Sequence, residues 1–479
     1  VKLIIKSGKI FKKIMKGMNS MLQNYISEFK SGLKACTELR AQMNSSQMVN
    51  ILKGSLTSNQ NNIRKGVSAR IYKNGVYGFA SASDYNLESV KKVLDTALKN
   101  AEFLNSKAKK EPKSLPAGSQ GSFSLNRQEH IIPQKYFIDF ARETDEYIST
   151  HYKNLDSRSV CCKQDTNEKL LCTTDSCDCH TITPRANLYV HMTANDNSGV
   201  PISLYEAWGE FGTFDSIYSD PKSLYEGIDH LYERIMQKRE AVYAEGGIKQ
   251  VILDSDLAGI LAHEAVGHTV EGDLVRFGSV AGSYRNKQVA SELITLVDYA
   301  NSYEGKLLGV PIFVDDEGTK AEDVVLIERG ILKEFMHNKE TAAHFGTVPK
   351  GNARANEFID EPLVRMRNTA ILPGKSSLEE MIASVEDGYY FMKPTNGQAD
   401  LTGEFMFGVA MGYEIKKGKV GRAVKETTIS GIAFDLLKTV DMVSDEMVWK
   451  NTGWCGKKQW IPVSMGGPAI RCKINVGGK

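Results

Sequence analysis

The sequence predicts an α+β protein, with an N-terminal two-layer helix/antiparallel-sheet domain and a mostly β C-terminal domain carrying one inserted helix. Three observations predict it. Amphipathic helical stretches bracket a run of short alternating segments in the first hundred residues. The Lys-, Pro-, Ser- and Gly-rich stretch "NSKAKKEPKSLPAGSQGS" then interrupts the chain as a linker would. From "KQVILDSD" onward, strand and turn patterns dominate. At 479 residues the chain exceeds one ordinary core, so two or three domains are expected.

Residues 1–18, "VKLIIKSGKIFKKIMKGM", hold six lysines and no acid. They lack the continuous apolar core of a secretory signal and read as a basic, unstructured extension. A helix is expected over 19–35, where Met21, Tyr25, Phe29 and Leu33 recur four apart. Short strands follow, and the Asn74-Gly75 pair in "YKNGVYG" favours a tight hairpin. Val90, Val93, Leu94 and Leu98 mark the apolar side of a second helix, which closes an N-terminal α+β domain at 19–110. Residues 111–245 form the linker and a middle region: a helix at 134–150, the cysteine-rich "VCCKQDTNEKLLCTTDSCDCHTIT" leading into strand-like "ANLYVHMTA", and a helix at 223–244. Residues 246–479 are the C-terminal β-rich domain.

Composition narrows the function classes. Hydrophobic residues make up 41% and charged residues 25%, and 60 basic against 58 acidic side chains leave a net charge of +2. Such balance supplies no field for gripping nucleic acid, so no nucleic-acid partner is expected. No apolar run approaches the roughly 20 residues that cross a bilayer, so no membrane partner is expected. Eight cysteines without a secretory signal suggest reduced thiols and a cytoplasmic location.

The most informative stretch is "GILAHEAVGHTVEGD", Gly259 to Asp273. Asp254, Ser255 and Asp256 offer N-cap chemistry, and Leu257, Ile260, Leu261, Ala265 and Val266 follow a helical period. His263 and His268 therefore lie on a helix, but five apart rather than the four that would aim both at one ion. At about 100° per residue, five residues overshoot a full turn by roughly 140°. A one-residue π-bulge absorbs the surplus, and Gly267 stands where a missing Cβ would let the backbone deform. A metal site on a bulged helix is the expectation, with core packing of two histidines as the alternative. The third ligand is left open between Glu271 and a cysteine from elsewhere in the chain.

These residues resemble the TldD/PmbA family of metalloproteases, in its TldD-like, metal-binding branch. The resemblance rests on "HEAVGHTVEGD" and on further blocks in the family's order: "GVSARIYKNGVYGFASAS", Asp315 to Ala342, "KGNARAN", "MRNTAILPG", "NGQADLTGEFMF" and "GWCGKKQWIPVSMGGPAIRCKINVGG". It implies a zinc ion held by His263, His268 and Cys455, with Glu264 as general base. Cys472, in "RCK", competes with Cys455, but only the "GWCGK" context matches the family. The sequence departs from the family at Lys458, Gln459 and Trp460, where Asp-Gly-Gln is usual, and in "KGNARAN". The implied substrate is an unfolded or small peptide, held as an added strand, with the Gly-rich segments near 397–412 and 455–468 as candidate edges. The implied working unit is a homodimer, or a heterodimer with a metal-free paralogue.

Cys161, Cys162, Cys172, Cys177, Cys179 and His180 match none of the common zinc spacings and read as free thiols. The leading expectation is a zinc-dependent peptidase. The alternatives are a non-catalytic subunit of a heteromeric protease and a zinc hydrolase of non-peptide amides.

Overall fold

The computed structural model describes residues 36–478 apart from 85, 109–112 and 128–129. The extension at 1–18 and the helix expected at 19–35 lie outside the described residues.

Three strands, β1 (Cys36–Leu52), β2 (Ser55–Lys73) and β3 (Val76–Ala82), run as an antiparallel meander. Asn74 and Gly75 turn β2 into β3 with φ of 50° and 87°, the geometry that an Asn-Gly pair selects. Helix α1 (Leu87–Ala108) buries Val90, Val93, Leu94 and Ala97 in one cluster with Leu39, Ala41, Val67, Ala69 and Ile71. It is seated almost backbone to backbone, since a Cβ on Gly78 would stand 2.1 Å from the Ala97 carbonyl oxygen.

Beyond the linker the same sheet continues. After β4 (Gly121–Asn126) and α2 (Gln134–His151), the cysteine-rich stretch proves to be a long hairpin of β5 (Ser157–Thr173) and β6 (Cys177–Asn195). β5 pairs with β1, so strands from both sides of residue 110 share one sheet of order β3-β2-β1-β5-β6. β4 and β7 (Pro201–Phe211) both pair with β6. Helix α2 and helix α3 (Tyr225–Lys238) cover β5 to β7, burying Phe137, Phe140, Ile228 and Leu231 against Val160, Leu188 and Val190.

The C-terminal region is built from two sheets with a helix between them. Its strands are β8 (Gly247–Leu253), β9 (Leu296–Tyr299), β10 (Val324–Glu328), β11 (Asn368–Ile371), β12 (Asp387–Ala399), β13 (Glu404–Lys416), β14 (Lys419–Val424), β15 (Thr427–Ile432), β16 (Val448–Lys457), β17 (Gln459–Gly467) and β18 (Ile470–Val476). One sheet closes on itself in the order β12-β8-β18-β15-β13 and back to β12, with β14 attached to β13. The other runs from Ile331–Leu332 through β10, β9, β11 and β17 to β16 at its edge. The helical segment from Ser255 packs between the two. Leu257, Leu261, Ala265 and Val266 share a cluster with Phe391 and Phe407 of the ring and with Ile371, Ile461 and Val463 of the open sheet. Burial at this depth contributes about 1.5–3 kcal/mol for each large aliphatic side chain. Among the described residues, no helix is long and apolar enough to cross a membrane.

The open sheet carries a buried ion pair at its centre. The Arg367 Nε donates to Asp298 Oδ2 at 2.8 Å, and neither side chain is exposed. Asp298 also accepts from the Arg367 amide and from Asn352. Removing one partner leaves the other charged and buried. Asp298→Ala is therefore expected to cost about 3–5 kcal/mol, read from the midpoint of urea unfolding.

Candidate metal centre

The helix that carries the motif begins with a cap. Asp254 accepts a hydrogen bond from the Leu257 amide at 2.9 Å, the N-cap role its position predicts. Ser255–Ile260 is α-helical, and Leu261–Gly267 is a π-helical turn in which the His268 amide donates to the His263 carbonyl, five residues back. The wider turn absorbs the extra residue. Both imidazoles come to one side of the segment, their ring centroids 5.4 Å apart.

Gly267 serves a different purpose from the one expected. Its φ of −55° and ψ of −46° are ordinary helical values, so no deformation calls for glycine. The neighbour does: a Cβ there would fall 2.0 Å from Met366 Sδ. Gly267 is small because the Met366 side chain, two residues before β11, leaves no room for one carbon.

Cys455 arrives from the edge strand β16, its Sγ 3.3 Å from His268 Nε2. Ligand atoms of His263, His268 and Cys455 all lie within 4.8 Å of one another. The Glu264 carboxylate stands beside them, 3.8 Å from His263 Nε2 and 3.6 Å from His268 Nε2, and keeps partial exposure. Cys472 is elsewhere. It faces the interior of the closed ring on β18, opposite Val251, where burial pushes its thiol up.

Glu271, weighed as a third ligand, instead stands behind the site. Its fully buried Oε2 lies 2.8 Å from His268 Nδ1, which leaves Nε2 facing Cys455. Second partners of this kind fix the tautomer and direction of a ligating histidine. Lys457 Nζ donates to Glu271 at 3.1 Å and to Asp273 at 3.0 Å. Arg365, also buried, donates to the carbonyls of Cys455 at 2.7 Å and Gln459 at 3.1 Å. Neither Lys457 nor Arg365 emerged from the sequence as a site residue. Lys458, in left-handed conformation (φ 59°), turns β16 into β17, and the Gln459 carboxamide binds the backbone at Asn356, Arg354 and Glu361. The "KQW" departure thus seats the ligand hairpin on the "KGNARAN" loop.

The electrostatics suit a cation. Burial alone would raise the Cys455 thiol, but the electrostatic influence of His263 and the hydrogen bond from His268 hold it down at about 4. Burial opposes charge on His268 as well, yet Glu271 raises it well above the usual histidine value. Burial works against the Glu271 carboxylate, which Lys457 and then His268 pull down to about 2. Both ring nitrogens of His263 are buried without a hydrogen-bond partner. Leaving such groups unpaired in a core is costly, and an ion would relieve the cost. Two imidazoles and a thiolate are the donor set of a borderline-soft transition ion with one position open.

The cysteine-rich hairpin shows no such convergence. The sulfurs of Cys177 and Cys179 lie 3.3 Å apart, while Cys172 turns to Asp178 and His180 to Glu168.

A cleft of about 310 Å³ opens along the helix one to two turns before Glu264, at Ile260 and Asp256. Its walls are Tyr205–Ala207 of β7, Lys393–Thr395 of β12, and Lys450 and Thr452–Trp454 of β16. β16 has a single partner strand, and β12 pairs with β8 only as far as Phe391. Of the Gly-rich segments expected to offer a strand edge, Glu404–Val409 is paired on both flanks, whereas β16 is laddered to β17 alone, with Arg185 donating to its Asn451 and Gly453 carbonyls and Gly209 of β7 packed against Thr452.

Two family models match the chain, "PmbA/TldA metallopeptidase C-terminal domain" over residues 246–478 and "PmbA/TldA metallopeptidase domain 1" over 37–101. The zinc metalloprotease TldD homolog of Saccharolobus solfataricus is 35% identical over 254 residues, 52% of this chain and 56% of that protein. In that comparison the chain spans about half the length of the curated relative. A metalloprotease of Methanocaldococcus jannaschii is 30% identical over 450 residues, 91% of this chain and 95% of its own length. The crystal structure of TldE from Thermococcus kodakarensis is 18% identical, with a TM-score of 0.76, and covers 95% of this chain and 100% of its own; it has the same fold.

Two outcomes follow from the geometry. Gly267→Ala is expected to cost about 1–3 kcal/mol in urea unfolding, and combined with Met366→Ala the total loss should be smaller than the sum of the two single losses. In chelator-treated protein, the ultraviolet absorbance of the Cys455 thiolate should persist on acidification until the pH nears 4, and Cys455→Ser should remove it.

Proposed function

Because the chain belongs to the PmbA/TldD metallopeptidase family, we propose that it is a zinc-dependent peptidase acting on unfolded or small peptides, leader-bearing ones included, with residues 246–479 as the catalytic unit. The reading is carried by one observation: two imidazoles and a thiolate within 4.8 Å of one another, beside a carboxylate that belongs to neither ring's support.

His263, His268 and Cys455 would hold the ion. Zinc, when bound, supplies a Lewis acid that polarises the scissile carbonyl and acidifies water. Glu264 takes the proton of the attacking water and passes it to the departing amine, so the carboxylate is restored at the end of each turnover. Glu271 and Lys457 keep the His268 ring in place; His263 and Cys455 are buried, while the partly exposed Glu264 keeps access to water. The peptide lies extended in the cleft beside Asp256 and Ile260, between β12 and β16. Main-chain recognition of an extended peptide tolerates many sequences, which suits unfolded or short clients. The working unit in this proposal is a homodimer or a heterodimer with a metal-free paralogue, located in the cytoplasm.

Two other readings are separable. A non-catalytic subunit would bind no zinc and turn over nothing without a partner. A hydrolase of other amides would cleave small acylated amides and spare unfolded casein.

The deciding measurement is zinc content and casein hydrolysis of the purified chain beside its Glu264→Ala variant. Retained zinc with activity lowered about 10²–10⁴-fold is expected. Zinc-free protein, or a variant as active as the parent, would overturn the reading. Removal of zinc by a chelator should abolish hydrolysis, and added zinc should restore it.

A further inference from the structure

Resting on the metallopeptidase reading, we infer that Lys457 is a positioning residue that couples the thiolate strand to the histidine support, so that one strand holds His268 from both ends. Cys455 and Lys457 are two apart on β16 and therefore project to the same face. Cys455 meets Nε2 of His268 at 3.3 Å. Lys457 meets, at 3.1 Å, the Glu271 oxygen that holds Nδ1 of the same ring. The chain of contacts thus closes: thiolate, imidazole, carboxylate, ammonium and back along two residues of strand.

Lys457 is well placed to carry this load. Its ammonium also donates to both oxygens of Asp273 and, at 2.6 Å, to the Val364 carbonyl. Its four acceptors thus come from the segment that follows the motif helix and from Val364, the residue before Arg365. Around Glu271 the positively charged neighbours are Lys457, His268 and Arg365. Arg365 is committed to the carbonyls of the ligand hairpin, and His268 is itself a ligand. Without Lys457, two buried or half-buried carboxylates would face each other and push the support away from the ring. The position of β16, and with it the thiolate, would lose its tie to the helix.

The effect is read on metal binding, not on hydrolysis alone. Zinc affinity is measured by competition with a chromophoric chelator, and the site is then loaded with cobalt(II), whose thiolate-to-metal charge-transfer band reports the Cys455 bond. Lys457→Met is expected to weaken zinc binding about 10- to 100-fold and to diminish that band. Lys457→Arg, which keeps the charge, should recover most of both. Combined with Glu271→Gln, the loss should be smaller than the product of the two single losses, because both act through one contact. If Lys457→Met does not fold by circular dichroism, Lys457→Gln is judged by the same criteria.

A Lys457 variant that binds zinc as tightly as the parent, with an unchanged cobalt spectrum, overturns the inference and leaves the metallopeptidase reading standing. Equal loss in the arginine and methionine variants also overturns it, since the charge would then not be what matters. A parent chain that binds neither zinc nor cobalt removes the reading and the inference together.

Discussion

The site depends on one constraint: two histidines five residues apart must face the same point. An α-helix cannot do this, and a π-helical turn over Leu261–Gly267 can. Such a turn has weaker intrinsic support than the α form, so it persists where its surroundings hold it. Here the surroundings are two sheets. The ring that includes β8 and β12 grips one side through Phe391 and Phe407, and the open sheet grips the other through Ile371, Ile461 and Val463. The ligand strand and the support for His268 are then fixed by hydrogen bonds from Arg365 and Lys457, two cations that face carbonyls and carboxylates instead of solvent.

Much of the centre was legible in the residues themselves. The N-cap at Asp254, the helix, the need for a bulge and the histidine pair with its following glutamate all follow from local spacing. Cys455 was reached through a resemblance, because nothing local tells a thiol on one glycine-flanked strand from a thiol on another. Only the tertiary pairing separates them: Cys472 faces the interior of a closed ring, and Cys455 faces His268. Glu271 was legible as a neighbour but not in its role. Three residues beyond His268 it can turn toward the ion or toward the back of the ring, and Lys457, distant in sequence, draws it to the back.

The N-terminal half was harder to read. From Ser159 to Leu170 β5 alternates between partly exposed and buried positions, but its buried series runs Val160, Cys162, Gln164, Thr166, Glu168. Polar side chains on the inward face erase the hydrophobic alternation by which a strand is recognised. They lie on the helix-covered side of the sheet, where Gln164 accepts from the Phe214 amide and donates to Thr166, while Lys169, on the opposite face, meets Asp316 of the C-terminal region at 2.8 Å. A linker-like composition near residue 110 suggested separation, yet strands from before and after it share one sheet. Composition reports what a segment is made of, and strand partnership over a hundred residues is not a local property.

The contact between Gly267 and Met366 has a chemical consequence. Met366 is fully buried against a turn that has no space for an added carbon. Peroxide converts a thioether to a sulfoxide, which adds an oxygen to the sulfur and makes it polar. At this position the added atom would press on the residue that precedes His268. The geometry of the centre therefore depends on one thioether staying reduced, and the same burial that makes the contact tight shields that sulfur from oxidant.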